Sequence, residues 1–340
     1  MSQAARRPRV GFLGTGWIGR HRMQAMVETG AIEAVAVADP DPESADLAGR
    51  IAPAAALLPD LAALLDHGLD GLVIATPSAL HAEQSIAALN RGVAVFCQKP
   101  LGRSAAEARA VVEAARAADR LLAVDLSYRR TAAVEAIAQA IRGGELGRVF
   151  AVDLTFHNAY GPGKPWFFDR AQSGGGCVVD LGVHLVDLAL WLLDDPAVER
   201  VGSRLFAGGQ PLLPGSSEVE DYAIARLDCA GGAAVRLACS WHLHAGQDAV
   251  IEAGFYGTEG AATLRNIGGS FYDFEARLNR GTDSTRLASP PDDWGGRAAA
   301  DWARALAQAP GFDRAAERLV DLSAVLDRFY APDDRHNHPR

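Results

Sequence analysis

The segment Gly14-Thr15-Gly16-Trp17-Ile18-Gly19 constrains the fold of this chain more than any other, because of where it stands. It directly follows an apolar run, Val10 to Leu13, and opens a helical stretch. A G-x-G-x-x-G in that position is the turn from a parallel strand into a helix. The first glycine permits the tight turn, the second lets the backbone approach a pyrophosphate, and the third allows close packing of helix on strand. The helix N-terminus adds a positive dipole. Twenty residues beyond Gly19, Asp39 ends the next apolar run. A carboxylate there accepts hydrogen bonds from a ribose hydroxyl pair and repels a 2′-phosphate. Pro40 stands where a basic residue would suit that phosphate. Gly14, Thr15, Gly16, Trp17, Ile18 and Asp39 are therefore read as a dinucleotide site that prefers NAD to NADP.

From Arg9 to about Leu126, short apolar runs alternate with helical stretches, the pattern of repeated βαβ units on a parallel sheet. The strand candidates are Val10 to Leu13, Val35 to Asp39, Gly71 to Ala75, Val93 to Cys97 and Leu121 to Asp125. Ser104 and Glu107 form a capping box at the head of a helix to Ala118. A helix from Thr131 to Arg142 stops at Gly143 and Gly144. Beyond Gly147 the period becomes two, with runs at Val149 to Phe156, Glu220 to Asp228, Ala233 to Trp241 and Val250 to Tyr256. A helix from Asp180 to Leu193 interrupts these strands, and helices at Ala298 to Gln308 and Phe312 to Phe329 follow them. The expected fold class is α/β: an N-terminal Rossmann domain with a doubly wound parallel sheet (1–126), then a C-terminal α/β domain on a large, open, mainly antiparallel sheet (127–330). Residues 331–340 read as a tail.

Cys97, Cys177, Cys229 and Cys239 are dispersed without a C-x-x-C pair and read as reduced thiols. Met1 to Arg9 lacks the apolar stretch of a signal peptide, and the apolar region Cys177 to Leu193 is interrupted by Asp180, His184 and Asp187. The expectation is a cytoplasmic protein with no membrane partner. A net charge of −9 with no long basic run argues against a nucleic-acid partner. Among 33 basic residues only Lys99 and Lys164 are lysines. A lysine here is thus a poor candidate for generic surface charge, since it offers a compact, tunable ammonium that arginine does not.

Thr76-Pro77-Ser78 and Gln98-Lys99-Pro100 each follow a candidate strand, at the edge where a parallel sheet meets its ligand. Thr76, Pro77 and Ser78 suit the nicotinamide half of the cofactor, with Gln98 and Lys99 beside them. His81 is equally a cofactor contact or a surface or capping histidine. Lys99 can bond a substrate oxygen and stabilise the charge that develops there. In the second domain Gly174-Gly175-Gly176 leads to Asp180 and His184, four residues apart and so on one helical face. A histidine of near-neutral pKa suits proton transfer with an alcohol, oriented by Asp180 or by its rival Asp187. Equally, the pair is a core histidine and a capping aspartate. No third ligand stands at a suitable spacing, so no metal is expected. Tyr128, Arg129, Arg130, His157, Asn158, Tyr160, Lys164, Trp166 and Asp169 form the candidate substrate surface, of which Tyr128, Arg129, Asn158, Trp166 and Asp169 are retained with Asp180 and His184. An indole can cover a sugar's apolar face while amide, carboxylate and guanidinium groups take its hydroxyls.

Taken together, the glycine loop, Thr76-Pro77-Ser78-Ala79-Leu80-His81, Gln98-Lys99-Pro100 and the Gly174 to His184 segment resemble the Gfo/Idh/MocA oxidoreductases, the relatives of glucose-fructose oxidoreductase and inositol dehydrogenase, over nearly the whole chain. The resemblance implies a hydride transfer between NAD and a secondary alcohol of a sugar, polyol or inositol-like small molecule. Lys99, Asp180 and His184 are then the catalytic trio, with His184 as base, and the face of the C-terminal sheet builds a homodimer or homotetramer. Related chains that use NAD transiently to hydrolyse glycosides, and a non-catalytic NAD-binding regulator, are the alternatives. One position departs: the family commonly has Glu-Lys-Pro, and this chain has Gln98. The loss of that carboxylate takes a charge partner from Lys99, and the expectation is that Gln98 still fixes the lysine by hydrogen bonding.

Overall fold

A computed structural model describes residues 6–213 and 215–331. The expected C-terminal tail therefore lies outside the described residues except for Ala331, and so do residues 1–5 at the N-terminus. Arg6 already pairs with Asp70 at 3.0 Å.

The chain opens as β1 (Arg9–Leu13), α1 (Trp17–Glu28), β2 (Glu33–Ala38), α2 (Pro42–Ile51), β3 (Ala56–Leu57), α3 (Leu61–Asp66), β4 (Gly71–Ile74), α4 (Ser78–Asn90), β5 (Ala94–Cys97), α5 (Ala105–Ala118) and β6 (Leu122–Val124). These six strands form a sheet in the order β3-β2-β1-β4-β5-β6, parallel throughout. Every residue of β4 and β5 is buried, which is why both runs are continuously apolar. The strand order turns back between β1 and β4, and loops leaving the sheet there part to leave a ligand crevice. Ser104 caps α5 by accepting from Glu107 N, while the Glu107 carboxylate reaches back to Arg103 N at 2.7 Å. The two-residue β3 carries no period-two signal and has no counterpart among the expected strands.

The second half contributes α6 (Ala132–Arg142), β7 (Val149–Asn158), α7 (Arg170–Ser173), α8 (Val183–Leu192), β8 (Val198–Ala207), β9 (Gln210–Pro211), β10 (Tyr222–Cys229), β11 (Ala234–Ser240), β12 (Ala249–Gly257), β13 (Ala261–Asn266), β14 (Phe274–Arg280) and β15 (Asp283–Ala288). Nine strands form one sheet, ordered β15-β14-β13-β12-β7-β11-β10-β8-β9. Its pairs are antiparallel except β7 with β11. Along β10 the buried Ala223, Ala225 and Leu227 alternate with the outward Ile224 and Arg226, so one face of this sheet covers a core. The segment from Arg170 to Leu192 is long and apolar enough to cross a bilayer by length and composition, yet 83% of its most apolar window is buried inside the protein. It is a core element.

The helix expected from Asp180 to Leu193 is α-helical only from Val183, and Val178–Gly182 form a π-helical turn that carries Asp180. Contacts from outside the helix hold the residues that enter this turn: Glu220 Oε1 accepts from Gly176 N and Val178 N, and the Glu220 carbonyl accepts from Cys177 N, all at 2.9 Å. Wider turns of this kind recur at functional sites.

The chain ends with α9 (Arg297–Gln308) and α10 (Arg318–Arg328). Two compact units result, Met1–Ser127 with Gly295–Val320, and Tyr128–Trp294 with Asp321–Arg340. The helix at 297–308, expected within the second domain, thus belongs to the first. Trp302 packs against Phe96 with ring centroids 5.7 Å apart, and a Cβ at Gly71 would come within 2.8 Å of Trp302 and Leu306. Leu121 N also donates to Pro310 O at 2.7 Å.

Candidate functional site

In the first unit, the parallel strands deliver chemistry to one edge of their sheet. Gly14 follows β1, Asp39 follows β2, Thr76 follows β4, Gln98 and Lys99 follow β5, and Asp125 follows β6. Gly14 has φ of +81°, and a Cβ there would lie 2.6 Å from Ala75 O, so both conformation and space exclude other residues. A Cβ at Gly19 would lie 2.2 Å from Gly14 O. At Gly16 the Cβ position has nothing within 4 Å. The head of α1 there has no side-chain cap and no acidic residue in its first turn, so its N–H groups face a space an anion can enter. Thr15 is buried and Trp17 is 59% exposed, stacked on His21.

Asp39 Oδ2 accepts from Thr15 N and Oγ1, which fastens the loop to β2, and Oδ1 accepts from Asp41 N at 2.9 Å. A carboxylate oxygen has two lone pairs, so Oδ1 can still accept from a ribose hydroxyl. These residues fit a dinucleotide: an open cradle at Gly16, an uncapped helix and an acid at the next strand end.

Thr76 Oγ1 donates to Gln84 Oε1, Pro77 caps α4 and Ser78 is buried. His81 is 1% exposed, with Nε2 2.8 Å from Thr76 O and Nδ1 2.6 Å from Pro100 O. Burial pulls its pKa below the usual histidine range, opposed by those two hydrogen bonds. It is thus not a surface histidine; it ties the loop after β4 to the loop after β5 from behind the edge. The amide nitrogen of Gln98 is turned toward Asp125. This Nε2 donates to Asp125 Oδ2 at 2.6 Å, because β5 and β6 are neighbours in register at Cys97 and Val124.

In the second unit, Tyr128 lies 4.8 Å from the His184 ring and 5.0 Å from Trp294, centroid to centroid, with Phe156 and Phe274 edge-on. Burial pushes its phenol well above the usual range, and the Asp180 carboxylate adds to that. Asp180 Oδ2 accepts from Trp241 Nε1 at 3.1 Å. Trp241 follows β11 and meets Phe167 and Phe168 edge-on, and Phe167 stacks on Trp166 at 3.8 Å. His157 stacks on Tyr222 and bonds Ser240 Oγ, and burial lowers its pKa. Tyr128, Asp180 and His184 are therefore grouped, with Trp166 linked to them through the aromatic chain.

Other candidates are committed elsewhere. Arg129 binds both oxygens of Asp187 and lies over Trp191, so Asp187 serves Arg129 and is not the orienting acid of His184. Asp169 caps α7 by accepting from Ala171 N, and Asn158 Oδ1 accepts from Tyr160 N in a turn. Tyr160 donates to Asp248, and Lys164 is exposed. Three residues of consequence escaped the sequence reading: Asp125, Trp241 and Glu220. Asp125 and Trp241 end apolar runs and Glu220 begins one, which is the available signal.

A parallel sheet in dinucleotide-binding order, with an open glycine cradle and a separate unit on a mixed sheet, defines the class as two-unit proteins with a Rossmann-type nucleotide-binding fold. Residues 8–126 match the oxidoreductase family with NAD-binding Rossmann fold, and residues 134–263 match the GFO/IDH/MocA C-terminal domain. The chain belongs to the Gfo/Idh/MocA family. It is 33% identical over 207 residues to the 1,5-anhydro-D-fructose reductase of Ensifer adhaerens, a match covering 59% of each chain. It is 30% identical over 295 residues to the D-apiose dehydrogenase of Paraburkholderia graminis, covering 83% of this chain and 73% of that one. Among solved structures, a levoglucosan dehydrogenase in complex with NADH and levoglucosan superposes with a TM-score of 0.80 at 22% identity, over 95% of this chain and 96% of the other. That last likeness is one of fold.

Proposed function

We propose that this protein is an NAD-dependent dehydrogenase acting on a secondary alcohol of a sugar, polyol or inositol-like substrate. The observation that carries the reading is the edge of the first unit, where Gly16 leaves open space at an uncapped helix head and Asp39 Oδ1 can still accept. Gly14, Thr15, Gly16, Trp17, Ile18 and Asp39 would hold the dinucleotide, and the loops at Thr76 and Gln98 its nicotinamide half. When bound, the nicotinamide supplies a two-electron acceptor or donor of hydride. NAD is favoured over NADP because the Asp39 carboxylate opposes a second phosphate.

Lys99 lowers the energy of negative charge on the reacting oxygen. His184 moves the alcohol proton, steadied by the Tyr128 ring beside it. Asp180, held by Trp241, binds a neighbouring hydroxyl or aligns the imidazole. The aromatic chain from Trp166 to Trp241 suits the apolar face of a sugar ring. Names of relatives such as the D-apiose dehydrogenase support a carbohydrate substrate. The protein works in the cytoplasm, a compartment in keeping with four buried free cysteines. It assembles through the second-unit sheet as a homodimer or homotetramer, a reading supported by the exposed Phe150, Ile224 and Tyr256.

The test is a panel of sugars and polyols with NAD and NADP, following absorbance of the reduced cofactor, with Lys99→Ala and His184→Ala alongside. The reading expects net reduction of NAD and its loss in both variants. Turnover at the wild-type rate in both would end the assignment, and glycoside cleavage without net NADH would favour a hydrolase on the same fold.

A further inference from the structure

Behind the Gln98-Lys99-Pro100 loop, four polar side chains from three elements close on one another almost out of solvent. Asp125 is 1% exposed, Ser127 4% and Arg22 7%. Arg22 reaches from α1 to Asp125 Oδ2 through Nε at 2.5 Å and to Ser127 Oγ through NH2 at 3.1 Å. Ser127 Oγ donates to Asp125 Oδ1, and Gln98 Nε2 donates to Asp125 Oδ2 at 2.6 Å. Both oxygens of the Asp125 carboxylate are thereby engaged by donors. The backbone joins the cluster too, since Asp125 N donates to Cys97 O and Gln98 N to Ile74 O, both at 2.9 Å. A hydrogen-bond donor suits residue 98, because the carboxylate it faces can only accept.

We infer that Gln98 is a positioning residue for Lys99: its amide, clamped by the Arg22–Asp125 pair, fixes the lysine-bearing loop against the helix that follows the glycine turn. The charge that this edge keeps near Lys99 sits on Asp125, neutralised by Arg22, and not on residue 98. The inference rests on the reading of Lys99 given above. Other titratable groups around the loop are His21, whose Nδ1 is 2.9 Å from Arg22 NH1, and His81 against Pro100 O.

Two substitutions separate this role from simple packing. Gln98→Met keeps the side chain's length and removes the donor; kcat falls about ten-fold while KM for NAD shifts by about two-fold or less, as expected when one hydrogen bond to a charged group is lost chiefly from positioning. Gln98→Glu sets a second carboxyl 2.6 Å from Asp125, and two such groups share one proton. That variant stays active at low pH, where the proton is held. It acquires a new limb as pH rises, losing about ten-fold in kcat relative to wild type for each pH unit above the folded pKa of the shared proton.

The same proton is visible without turnover. A carboxyl whose folded pKa is raised stabilises below its unfolded value and loses that contribution as pH rises through the folded one. The ligand-free Gln98→Glu protein should therefore melt close to wild type at pH 5 and progressively below it toward pH 8. A melting difference independent of pH, or a pH–kcat profile parallel to wild type, overturns the inference. Lys99→Ala with full turnover overturns instead the reading beneath it. Loss of turnover in Lys99→Ala, with Gln98→Met at wild-type kcat, overturns the inference alone.

Discussion

Replacing Glu220 by glutamine should leave the protein at least as stable near pH 8, and the reason is one bare oxygen. Glu220 is fully buried, and its Oε1 accepts from Gly176 N, Val178 N and Tyr330 Oη, each at 2.9 Å. Its Oε2 is buried with no hydrogen-bond partner. A charged carboxylate in that position has lost water on one side without replacement. Burial accordingly raises its pKa, against the opposing hydrogen bonds from Val178 N, Tyr330 and Gly176 N. With the folded value above the unfolded one of about 4.3, the unfolded chain releases this proton first. The associated stability is complete below about pH 4 and declines as pH rises through the folded value, at about 1.4 kcal/mol for each unit of displacement.

Glutamine keeps the acceptor at Oε1 and cannot ionise. Glu220→Gln should match wild type within about 1 kcal/mol at pH 4 and equal or exceed it at pH 8. Glu220→Ala instead strands two backbone N–H groups and a phenol. At about 1–3 kcal/mol for each buried group left unpaired, and with incomplete additivity, a loss of about 3–5 kcal/mol follows. Urea midpoints read by tryptophan fluorescence between pH 4 and 9 measure all three proteins. A glutamine variant more than about 2 kcal/mol weaker than wild type at pH 8 would show that a charge on Glu220 stabilises this turn, and the argument from the bare oxygen would fail.

Trp241→Phe removes the N–H that holds Asp180 while keeping most of the ring, so kcat should fall about ten-fold or more; wild-type steady-state kinetics would discard the positioning role. Gly16→Ala meets open space at a φ of −56° and should fold with unchanged melting, yet weaken NAD binding in calorimetry by about 1–3 kcal/mol, since the methyl stands where the pyrophosphate would approach. Equal affinity would place the dinucleotide elsewhere. Arg129→Ala leaves Asp187, 2% exposed, without its guanidinium and should cost about 3–5 kcal/mol of stability in denaturant titration, with Arg129→Met/Asp187→Leu recovering most of it. No recovery in the double variant would mean that the pair matters for more than charge balance.

What could be read from the sequence was whatever a short window carries. The glycine spacing of residues 14–19, the buried runs of β4 and β5 and the period-two strands of the second unit are local signals, and they point to the sheet edge and to a large, mainly antiparallel second sheet; Tyr128 stands among a wider set of substrate candidates, and only the structure sets it beside His184. The Asp169 cap was also local, since an aspartate two residues before Ala171 at a short helix is a cap signal. Its residue type suits a sugar hydroxyl equally well, so the sequence alone does not separate the two roles. Helix α9 shows the opposite limit. Its apolar Trp302 and Leu306 announce a buried stripe, but a stripe does not say which sheet it will cover.

The polar partners that complete the candidate sites lie far apart in the chain: Arg22 and Asp125 by 103 residues, Trp241 and Asp180 by 61, Glu220 and Gly176 by 44. They differ in how much structure is needed to find them. In a parallel sheet, strand order alone sets the ends of neighbouring strands side by side, so once β6 is known to lie beside β5, Gln98 and Asp125 are neighbours by topology. Trp241 and Asp180 have no such shortcut. Their meeting depends on where β11 ends and on the π-helical turn before α8, which the helical period of the sequence does not announce. Gln98 and Asp125 were therefore within reach of sequence and strand order together, whereas Arg22, on α1, and the residues that tune Asp180 follow only from packing.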